Sequence, residues 1–204
     1  MSNSAEPVLV LASASPRRRD LLAREGVRFE VIPADIPEEH KPGESPEDLV
    51  CRLAFEKAAA VAKRLGDRPA RWVLGSDTIV VIDDDVLGKP RDTAEAERLL
   101  GRLTGRTHAV ITGYAFVDSS APEEPSRGRV AQQTSQVTMR DASAEEIAAY
   151  VATGEPMDKA GAYAVQGEGA RFVTRVEGSE DNVIGLPVSE VLAVWTTLQG
   201  GGAP

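Results

Sequence analysis

The chain has 204 residues, and its hydrophobic fraction of 42% and charged fraction of 27% are typical of a soluble globular protein. Acidic residues outnumber basic ones by 32 to 23, and the resulting net charge of −9 disfavours a protein that wraps nucleic acid with a basic face. The single cysteine, the absence of a signal-peptide pattern and the absence of an apolar run near ~20 residues predict a cytoplasmic protein that makes no membrane contact.

Strands and helices alternate in the first part of the predicted chain. An apolar run at residues 8–12 predicts a buried strand, and Ser15 followed by Pro16 predicts the start of a helix that reaches Glu25. The patterns that follow predict strands at residues 29–33 and 72–82 and a long helix at residues 45–65.

Lys57 falls within the apolar stripe of the long predicted helix. Ala54 and Val61 belong to that stripe, at helical spacing on either side of the lysine. Burial of an unpaired ammonium is strongly unfavourable, so the side chain must either reach solvent or meet an anion.

The second part of the chain mixes strands with irregular segments. Asp83, Asp84 and Asp85 predict a hairpin turn, and Ser143 with Glu146 three residues later predicts a helical capping box. The remaining patterns predict helices at residues 92–103, 143–151 and 187–198, strands at residues 107–117, 129–139, 162–165 and 172–176, and a loop at residues 118–128. The elements together predict an α/β or α+β fold on a mixed sheet, with one domain at residues 7–199 and flexible tails at residues 1–6 and 200–204.

The junction between the first strand and the first helix carries small and basic residues. Ser13 and Ser15 offer hydroxyl groups, Arg17 and Arg18 can grip a phosphate, and the unpaired N–H groups of a helix start attract anions. The alternative is a capped helix whose basic first turn is solvated, and the local pattern leaves both interpretations open.

Asp77 lies inside an otherwise apolar predicted strand. A buried carboxylate is unfavourable unless it is paired or binds a metal, so this residue is a candidate to hold a hard cation or to take a proton from water. The alternative is an aspartate that serves a turn or a helix cap.

Three further polar positions are weaker candidates on local grounds. Lys89 follows a strand and precedes Pro90, which suits either a ligand contact or a plain basic turn. Glu38 lies in a proline-rich loop, where plain surface charge is the simpler interpretation. Gln166 stands beside Gly167, and its amide can offer one acceptor and two donors to a flat ligand.

In their order along the chain, these clusters resemble the Maf family of nucleotide pyrophosphatases over about residues 8–198. The matching stretches are LASASPRRRDLL, RLAFEKA, GSDTIVV, LGKPRD, YVATGEPMDKAGAYAVQG and VIGLPVSEV. The resemblance implies a two-lobed mixed α/β fold with a deep central cleft. It also implies hydrolysis of a nucleoside triphosphate between the α and β phosphates with a divalent cation, Mg²⁺ or Mn²⁺.

The resemblance also implies roles for individual residues. The family's catalytic aspartate corresponds to Asp77, and its acidic residue near the metal corresponds to Glu38. These two carboxylates are therefore the expected metal ligands. The family's phosphate-contacting residues fall on Ser13, Arg17, Lys57 and Lys89, and Lys89 is counted with the catalytic residues. Lys159 lies in a matching stretch and is expected to contact the substrate.

Three specificity positions favour the branch of the family that acts on dTTP and UTP. They carry an Arg, a Thr and a Gln in that branch, and they fall here on Arg18, Thr78 and Gln166. We therefore expect an enzyme that hydrolyses dTTP and UTP, and modified pyrimidine nucleotides as further candidates, to the monophosphate and pyrophosphate. Such an enzyme would remove unwanted nucleotides from the cellular pool, and the resemblance also implies a link to cell-division arrest. The expected assembly is a homodimer.

The sequence is also compatible with three other functions. One is a regulator of septum formation that binds nucleotides without catalysis, although such a protein would not need the charged set of Asp77, Glu38 and Lys89. A second is a nucleic-acid-binding protein, which the net charge of −9 disfavours. A third is an enzyme for modified purine nucleotides, which Thr78 and Gln166 disfavour.

Overall fold

A computed structural model of the chain describes residues 9–66, 71–124 and 128–200. The tails expected at residues 1–6 and 200–204 lie outside these ranges, apart from Gly200. Within the described ranges, seven strands and six α-helices form a mixed α/β fold. The predicted fold class is confirmed, whereas the deep cleft implied by the family resemblance stays a prediction.

The elements follow the chain in the order that the sequence patterns predicted, with two exceptions given below. The strands are β1 Leu9–Leu11, β2 Phe29–Val31, β3 Trp72–Ile82, β4 Asp85–Leu87, β5 Thr107–Asp118, β6 Arg129–Met139 and β7 Val173–Glu177. The α-helices are α1 Pro16–Arg24, α2 Pro46–Leu65, α3 Thr93–Leu103, α4 Ala144–Val151, α5 Glu180–Ile184 and α6 Val188–Gln199. Short 3₁₀ helices occupy Glu155–Asp158, Ala160–Ala162 and Glu168–Phe172. None of the helices in the described ranges has the length and apolar character needed to cross a membrane.

The strands form one mixed sheet in the order β2-β1-β3-β5-β6-β7, with β4 paired to β3. Strand β1 runs parallel to both β2 and β3, whereas β4 is antiparallel to β3 and β7 is antiparallel to β6. The parallel strands β1 and β2 are connected through α1, as parallel pairing requires a crossover.

The chain divides into two compact units. Unit 1 comprises residues 1–77, 113–132 and 185–204, and unit 2 comprises residues 78–112 and 133–184. A buried cluster within unit 1 joins α2 to β1 and β3, and its members are Val10, Ala12, Ala58, Val61, Ala62, Leu65, Val73 and Val117. A larger cluster within unit 2 packs α3 and α4 against the sheet and includes Val80, Leu99, Leu100, Val137, Tyr150 and Phe172. Each unit therefore has an apolar core of its own.

The predicted helix starts are confirmed by their caps. Ser15 Oγ accepts a hydrogen bond from the Arg18 N–H at 3.4 Å, and Ser45 and Asp92 cap α2 and α3 in the same way. At α4, the predicted capping box between Ser143 and Glu146 is complete. These side chains satisfy N–H groups that the first turn of a helix leaves unpaired.

The predicted hairpin turn is confirmed and has an unusual backbone. Asp83 and Asp84 have φ angles of 52° and 62°, and Asp85 already pairs with Ile82 in the antiparallel ladder. Positive φ at both central residues is typical of a two-residue type I′ hairpin, and aspartate tolerates it better than most residues.

The structure differs from the expectations for the second part of the chain in two places. The segment 162–165 is not a strand, because Gly161 and Ala162 adopt φ angles of 70° and 60° within a 3₁₀ helix. The Gly161 N–H donates to the Gly88 carbonyl at 3.1 Å, which fixes this turn against a distant part of the chain. Helix α5 was not predicted, since five residues are too few for a helical pattern to emerge.

Candidate active site

Glycine lets helix α2 lie directly on the sheet. A Cβ placed on Gly75 of β3 would lie 2.1 Å from the Ala54 carbonyl oxygen, and one on Gly113 of β5 would lie 2.3 Å from that of Val50. No other residue type fits at such a distance. Because Lys57 lies one turn beyond Ala54 in α2, and Asp77 lies two residues beyond Gly75 on the same face of β3, this packing brings the two side chains together.

Lys57 joins two carboxylates inside unit 1. Its Nζ lies 2.6 Å from Asp77 Oδ1 and 2.7 Å from Glu38 Oε1. Lys57 and Asp77 are only 7% and 6% exposed, while the Glu38 side chain is about half exposed at 49%. Of the two possibilities predicted for Lys57, the structure shows contact with an anion, and Lys57 makes that contact twice. Charge-assisted bonds at this distance are strong.

Arg18 is anchored beside this triad. Its Nη1 donates to the Ser76 carbonyl at 2.9 Å and to Ser13 Oγ at 3.2 Å, and its Nε donates to the Gly185 carbonyl at 2.8 Å. Burial lowers the pKa of the Arg18 guanidinium, whereas the nearby charge of Asp77 raises it. The guanidinium is thus a fixed cation next to the buried carboxylate.

Ser13 organises the junction between β1 and α1. The side chain is buried, and its Oγ accepts from the Ser15 N–H at 3.2 Å as well as from Arg18. Arg17 lies in the first turn of α1, and its charge is close enough to lower the pKa of Arg18. Unit 1 therefore brings together six of the predicted site residues, which are Ser13, Arg17, Arg18, Glu38, Lys57 and Asp77.

The other four predicted residues belong to unit 2, namely Thr78, Lys89, Lys159 and Gln166. Thr78 follows Asp77 in β3, and its Oγ1 lies 3.0 Å from Thr112 Oγ1 on β5. Lys89 is exposed just beyond β4, where it lines a small cavity of about 180 Å³ together with Arg98 and Arg102 of α3.

Lys159 makes local bonds. Its Nζ donates to the Glu155 carbonyl and to Asp158 Oδ1, both at 2.6 Å. The bond between Gly161 and Gly88 ties this segment to the chain next to Lys89. Substrate contact by Lys159 stays a prediction, and the structure adds a role for its ammonium in holding the 3₁₀ turn in place.

The loop that carries Gln166 is held by a residue that the sequence patterns did not single out. The Glu155 carboxylate accepts from Tyr150 Oη at 2.8 Å and from the N–H groups of Glu168 and Gly169 at 2.9 and 3.0 Å. Burial alone would raise the pKa of Glu155, but these hydrogen bonds lower it. A buried tyrosine needs a hydrogen-bond partner for its hydroxyl group. Tyr150, which lies in a predicted helix, was therefore the one feature of the sequence that could have pointed to Glu155.

The donor set suits a divalent cation that is shared with a ligand. Asp77 and Glu38 both contact Lys57 Nζ, so their carboxylates lie close to each other. Within the part of the chain that the structure describes, no group of three or more His, Cys, Asp or Glu side chains is placed to hold a metal alone. Mg²⁺ typically takes one or two carboxylates and completes its shell with water and substrate phosphates, so these residues fit such an ion.

Comparison with known proteins gives one consistent result. Residues 8–198 match a family model described as Maf-like protein. The chain is 51% identical over 190 residues to the dTTP/UTP pyrophosphatase of Geobacter metallireducens, covering 93% of this chain and 95% of the relative. It is 51% identical over 184 residues to the dTTP/UTP pyrophosphatase of Geobacter sulfurreducens, covering 90% and 93%. With the dTTP/UTP pyrophosphatase of Myxococcus xanthus it shares 48% identity over 202 residues, covering 99% and 96%.

Proposed function

The chain belongs to the family of Maf-like proteins, and from that premise we propose that it hydrolyses dTTP and UTP to the nucleoside monophosphate and pyrophosphate. The observation that carries the proposal is the buried Lys57, which holds the carboxylates of Asp77 and Glu38 beside the anchored guanidinium of Arg18. Several relatives that share about half of their residues with this chain carry the name of that activity.

Such an enzyme must bring a negatively charged triphosphate close to the negatively charged carboxylate of Asp77. Arg17, Lys57 and Lys89 supply positive charge for the phosphates, and the start of α1 offers backbone N–H groups. Positioning and charge neutralisation account for most of the catalysis of phosphoryl transfer, because the protein has little covalent chemistry to perform. The basic residues thus provide positive charge for the phosphates locally, although the chain as a whole has a net charge of −9.

Asp77 is the proposed general base. Its carboxylate is buried and fixed by Lys57 at 2.6 Å, so it can orient a water molecule for attack on the α phosphorus and accept the proton. Glu38 and Asp77 would hold the divalent cation, Mg²⁺ or Mn²⁺. When bound, that ion supplies electrostatic stabilisation of the charge on the phosphate oxygens and on the departing pyrophosphate.

Thr78 and Gln166 are the proposed base-reading residues. Uracil and thymine present an N3–H donor flanked by carbonyl acceptors, and a hydroxyl and an amide can satisfy that pattern. Cytosine lacks the N3–H, so the same site would leave a buried group unpaired, at a cost of roughly 1–3 kcal/mol. Arg18 and Lys159 complete the proposed substrate contacts.

A panel of nucleoside triphosphates, each with Mg²⁺ or Mn²⁺, tests this proposal. We expect pyrophosphate and monophosphate from dTTP and UTP, much slower release from CTP and purine nucleotides, and loss of activity when EDTA removes the metal. Release of inorganic phosphate instead would place the cleavage elsewhere in the phosphate chain. Tight nucleotide binding without any turnover would favour the non-catalytic regulator.

The cell biology of the protein forms a separate proposal. A cytoplasmic location suits a chain with a single cysteine, because a reducing compartment keeps thiols reduced. We also propose a homodimer that binds neither nucleic acid nor membranes. Light scattering coupled to size-exclusion chromatography measures the oligomeric state. A salt-dependent gel shift measures nucleic-acid binding.

A further inference from the structure

The backbone of its loop determines where the amide of Gln166 lies. Gln166 is exposed, so packing of its own side chain does not fix its position. The next residue, Gly167, adopts a φ angle of 96°, which glycine tolerates and other residues rarely adopt. The position of the amide therefore depends on the groups that hold this irregular backbone in place.

Glu155 holds the backbone on the C-terminal side of Gln166. Its Oε2 accepts a hydrogen bond from the Glu168 N–H at 2.9 Å, and its Oε1 accepts from the Gly169 N–H at 3.0 Å. A Cβ placed on Gly167 would lie 2.6 Å from Glu155 Oε2, so the loop passes directly beside the carboxylate. A carboxylate has acceptors on both oxygens, which suits this pair of backbone donors.

Tyr150 extends the same network to the N-terminal side of Gln166. Its hydroxyl donates to Glu155 Oε1 at 2.8 Å and accepts from the Ala164 N–H at 3.3 Å. Tyr150 is fully buried, and its ring lies edge-on to that of Phe172 with 5.4 Å between the centroids, so the hydroxyl is held by the packing of its ring. Glu155 therefore holds the loop directly on one side of Gln166 and through Tyr150 on the other.

We propose that Glu155 is a positioning residue for base selection, which acts through Gln166. By fixing the backbone on both sides of Gln166, the carboxylate holds the amide in the geometry that pairs with uracil or thymine. The proposal rests on the proposed function, in which Gln166 contacts the base. An amide carries both donors and an acceptor, so in a loop that is held less firmly it can also adopt a geometry that suits cytosine.

A double-mutant cycle tests the proposal through the ratio of kcat/KM for UTP to kcat/KM for CTP. The cycle comprises the wild type, Glu155→Gln, Gln166→Ala and the double variant. Glutamine at position 155 keeps the shape, but its amide nitrogen must face a backbone N–H, because each carboxylate oxygen accepts from one. The substitution leaves the backbone carbonyl of residue 155, which accepts from Lys159 Nζ at 2.6 Å.

We expect Glu155→Gln and Gln166→Ala each to reduce the ratio by roughly tenfold, the effect of losing one discriminating hydrogen bond. In the double variant the ratio should fall no further than in Gln166→Ala, because a residue that acts through Gln166 cannot affect selectivity once that amide is gone. Independent roles would instead multiply to a loss of about a hundredfold, and that result would overturn the proposal.

Val137→Ala is the matched control for stability. Val137 lies in β6 and is fully buried in the same apolar cluster of unit 2 as Tyr150. The smaller side chain should lower the melting temperature while the ratio stays at the wild-type value. An equal loss of selectivity in Val137→Ala would mean that any destabilisation of unit 2 lowers the ratio, which would overturn the proposal.

The remaining outcomes separate this proposal from the proposed function. If Glu155→Gln does not fold, Tyr150→Phe replaces it in the cycle, since it removes the hydroxyl between Glu155 and Ala164 and keeps the ring. A wild-type protein that releases pyrophosphate from no nucleoside triphosphate overturns the proposed function and this proposal together. Wild-type selectivity in Gln166→Ala overturns base reading by Gln166 and, with it, this proposal. Wild-type selectivity in Glu155→Gln, where Gln166→Ala has lost it, overturns the role of Glu155 alone.

Discussion

Lys57 connects two carboxylates that are distant in sequence and different in exposure. Asp77 is buried and Glu38 is half exposed, yet each lies within 2.7 Å of the same ammonium group. Buried ion pairs contribute little net stability, because the loss of hydration offsets much of the attraction. The ion pairs of Lys57 with Asp77 and Glu38 are therefore better explained by a role in positioning the two carboxylates for the proposed reaction than by a contribution to the stability of the fold.

Replacement of Asp77 by asparagine isolates the role of the carboxylate. We expect Asp77→Asn to lose at least about a hundredfold in kcat with UTP, the size of a typical general-base contribution. The fold should survive, since the amide oxygen can still accept from Lys57, which also keeps its bond to Glu38. Steady-state kinetics and a thermal melt measure both effects. Near-normal turnover in the folded variant would remove Asp77 from the role of base.

His108 makes the stability of the protein depend on pH. The ring is buried, its Nε2 lies 2.7 Å from Tyr163 Oη, and burial lowers its pKa to about 4. An unfolded histidine titrates near 6.5, so the unfolded chain binds more protons between these values. This contribution to stability is complete above pH ~6.5 and is lost as the pH falls towards 4.

The change is measurable by urea unfolding at pH 7 and pH 5. We expect His108 to account for about 2 kcal/mol of the stability lost between these values, so the loss should be smaller by that amount in His108→Gln. The wild type, measured in parallel at the same two pH values, provides the reference loss. An identical loss in His108→Gln would show that the buried ring does not titrate as described.

At the level of elements, the position of α2 on the sheet depends on Gly75. An added methyl group would lie 2.1 Å from the Ala54 carbonyl oxygen and 2.8 Å from the Ala58 nitrogen, and both are backbone atoms that cannot rotate away. The helix would have to move, and Lys57 would move with it. The glycine is therefore required by the close approach of two backbones, whatever its effect on local flexibility.

The pair Gly75→Ala and Gly101→Ala tests this packing. We expect Gly75→Ala to destabilise the protein by about 1–3 kcal/mol or more and to reduce turnover, as overpacking displaces the helix. Gly101 lies within α3 with no atom near its missing Cβ, so alanine there should stabilise by up to about 1 kcal/mol. Urea unfolding midpoints should shift in opposite directions. A neutral Gly75→Ala would contradict the close approach.

The elements that the sequence predicted well are those with local determinants. Ser15 and Ser45 signal the helix starts by themselves, and the long apolar strand around Asp77 needs no partner to be recognised. The 3₁₀ turn at Gly161 and Ala162 depends on contacts with Val80 and Gly88, about 80 and 70 residues away, so no local pattern could reveal it.

The same distinction applies to the site residues. Asp77 and Lys57 stand out because a charge interrupts an apolar pattern, whereas the pattern around Glu38 looks like ordinary surface. The family resemblance singled out Glu38, and the structure then placed it 2.7 Å from Lys57. Glu155 escaped attention because its importance lies in which distant groups it contacts.

For the whole molecule, charge and chemistry are distributed unevenly. The proposed catalytic carboxylates and the arginines of α1 lie in unit 1, and the proposed base-reading residues Thr78 and Gln166 lie in unit 2. One of the four points at which the chain changes unit is the peptide bond between Asp77 and Thr78. Two consecutive residues of one strand therefore carry two different proposed roles, water activation at Asp77 and base selection at Thr78.

The discontinuity of both units restricts how such a protein can be divided. Unit 1 is assembled from three stretches of the chain and unit 2 from two, so the chain changes unit four times. A stop codon after Asp77 would discard residues 113–132 and 185–204, which unit 1 also needs. Neither unit is encoded by one uninterrupted segment of the chain, so neither can be moved to another gene as a single piece.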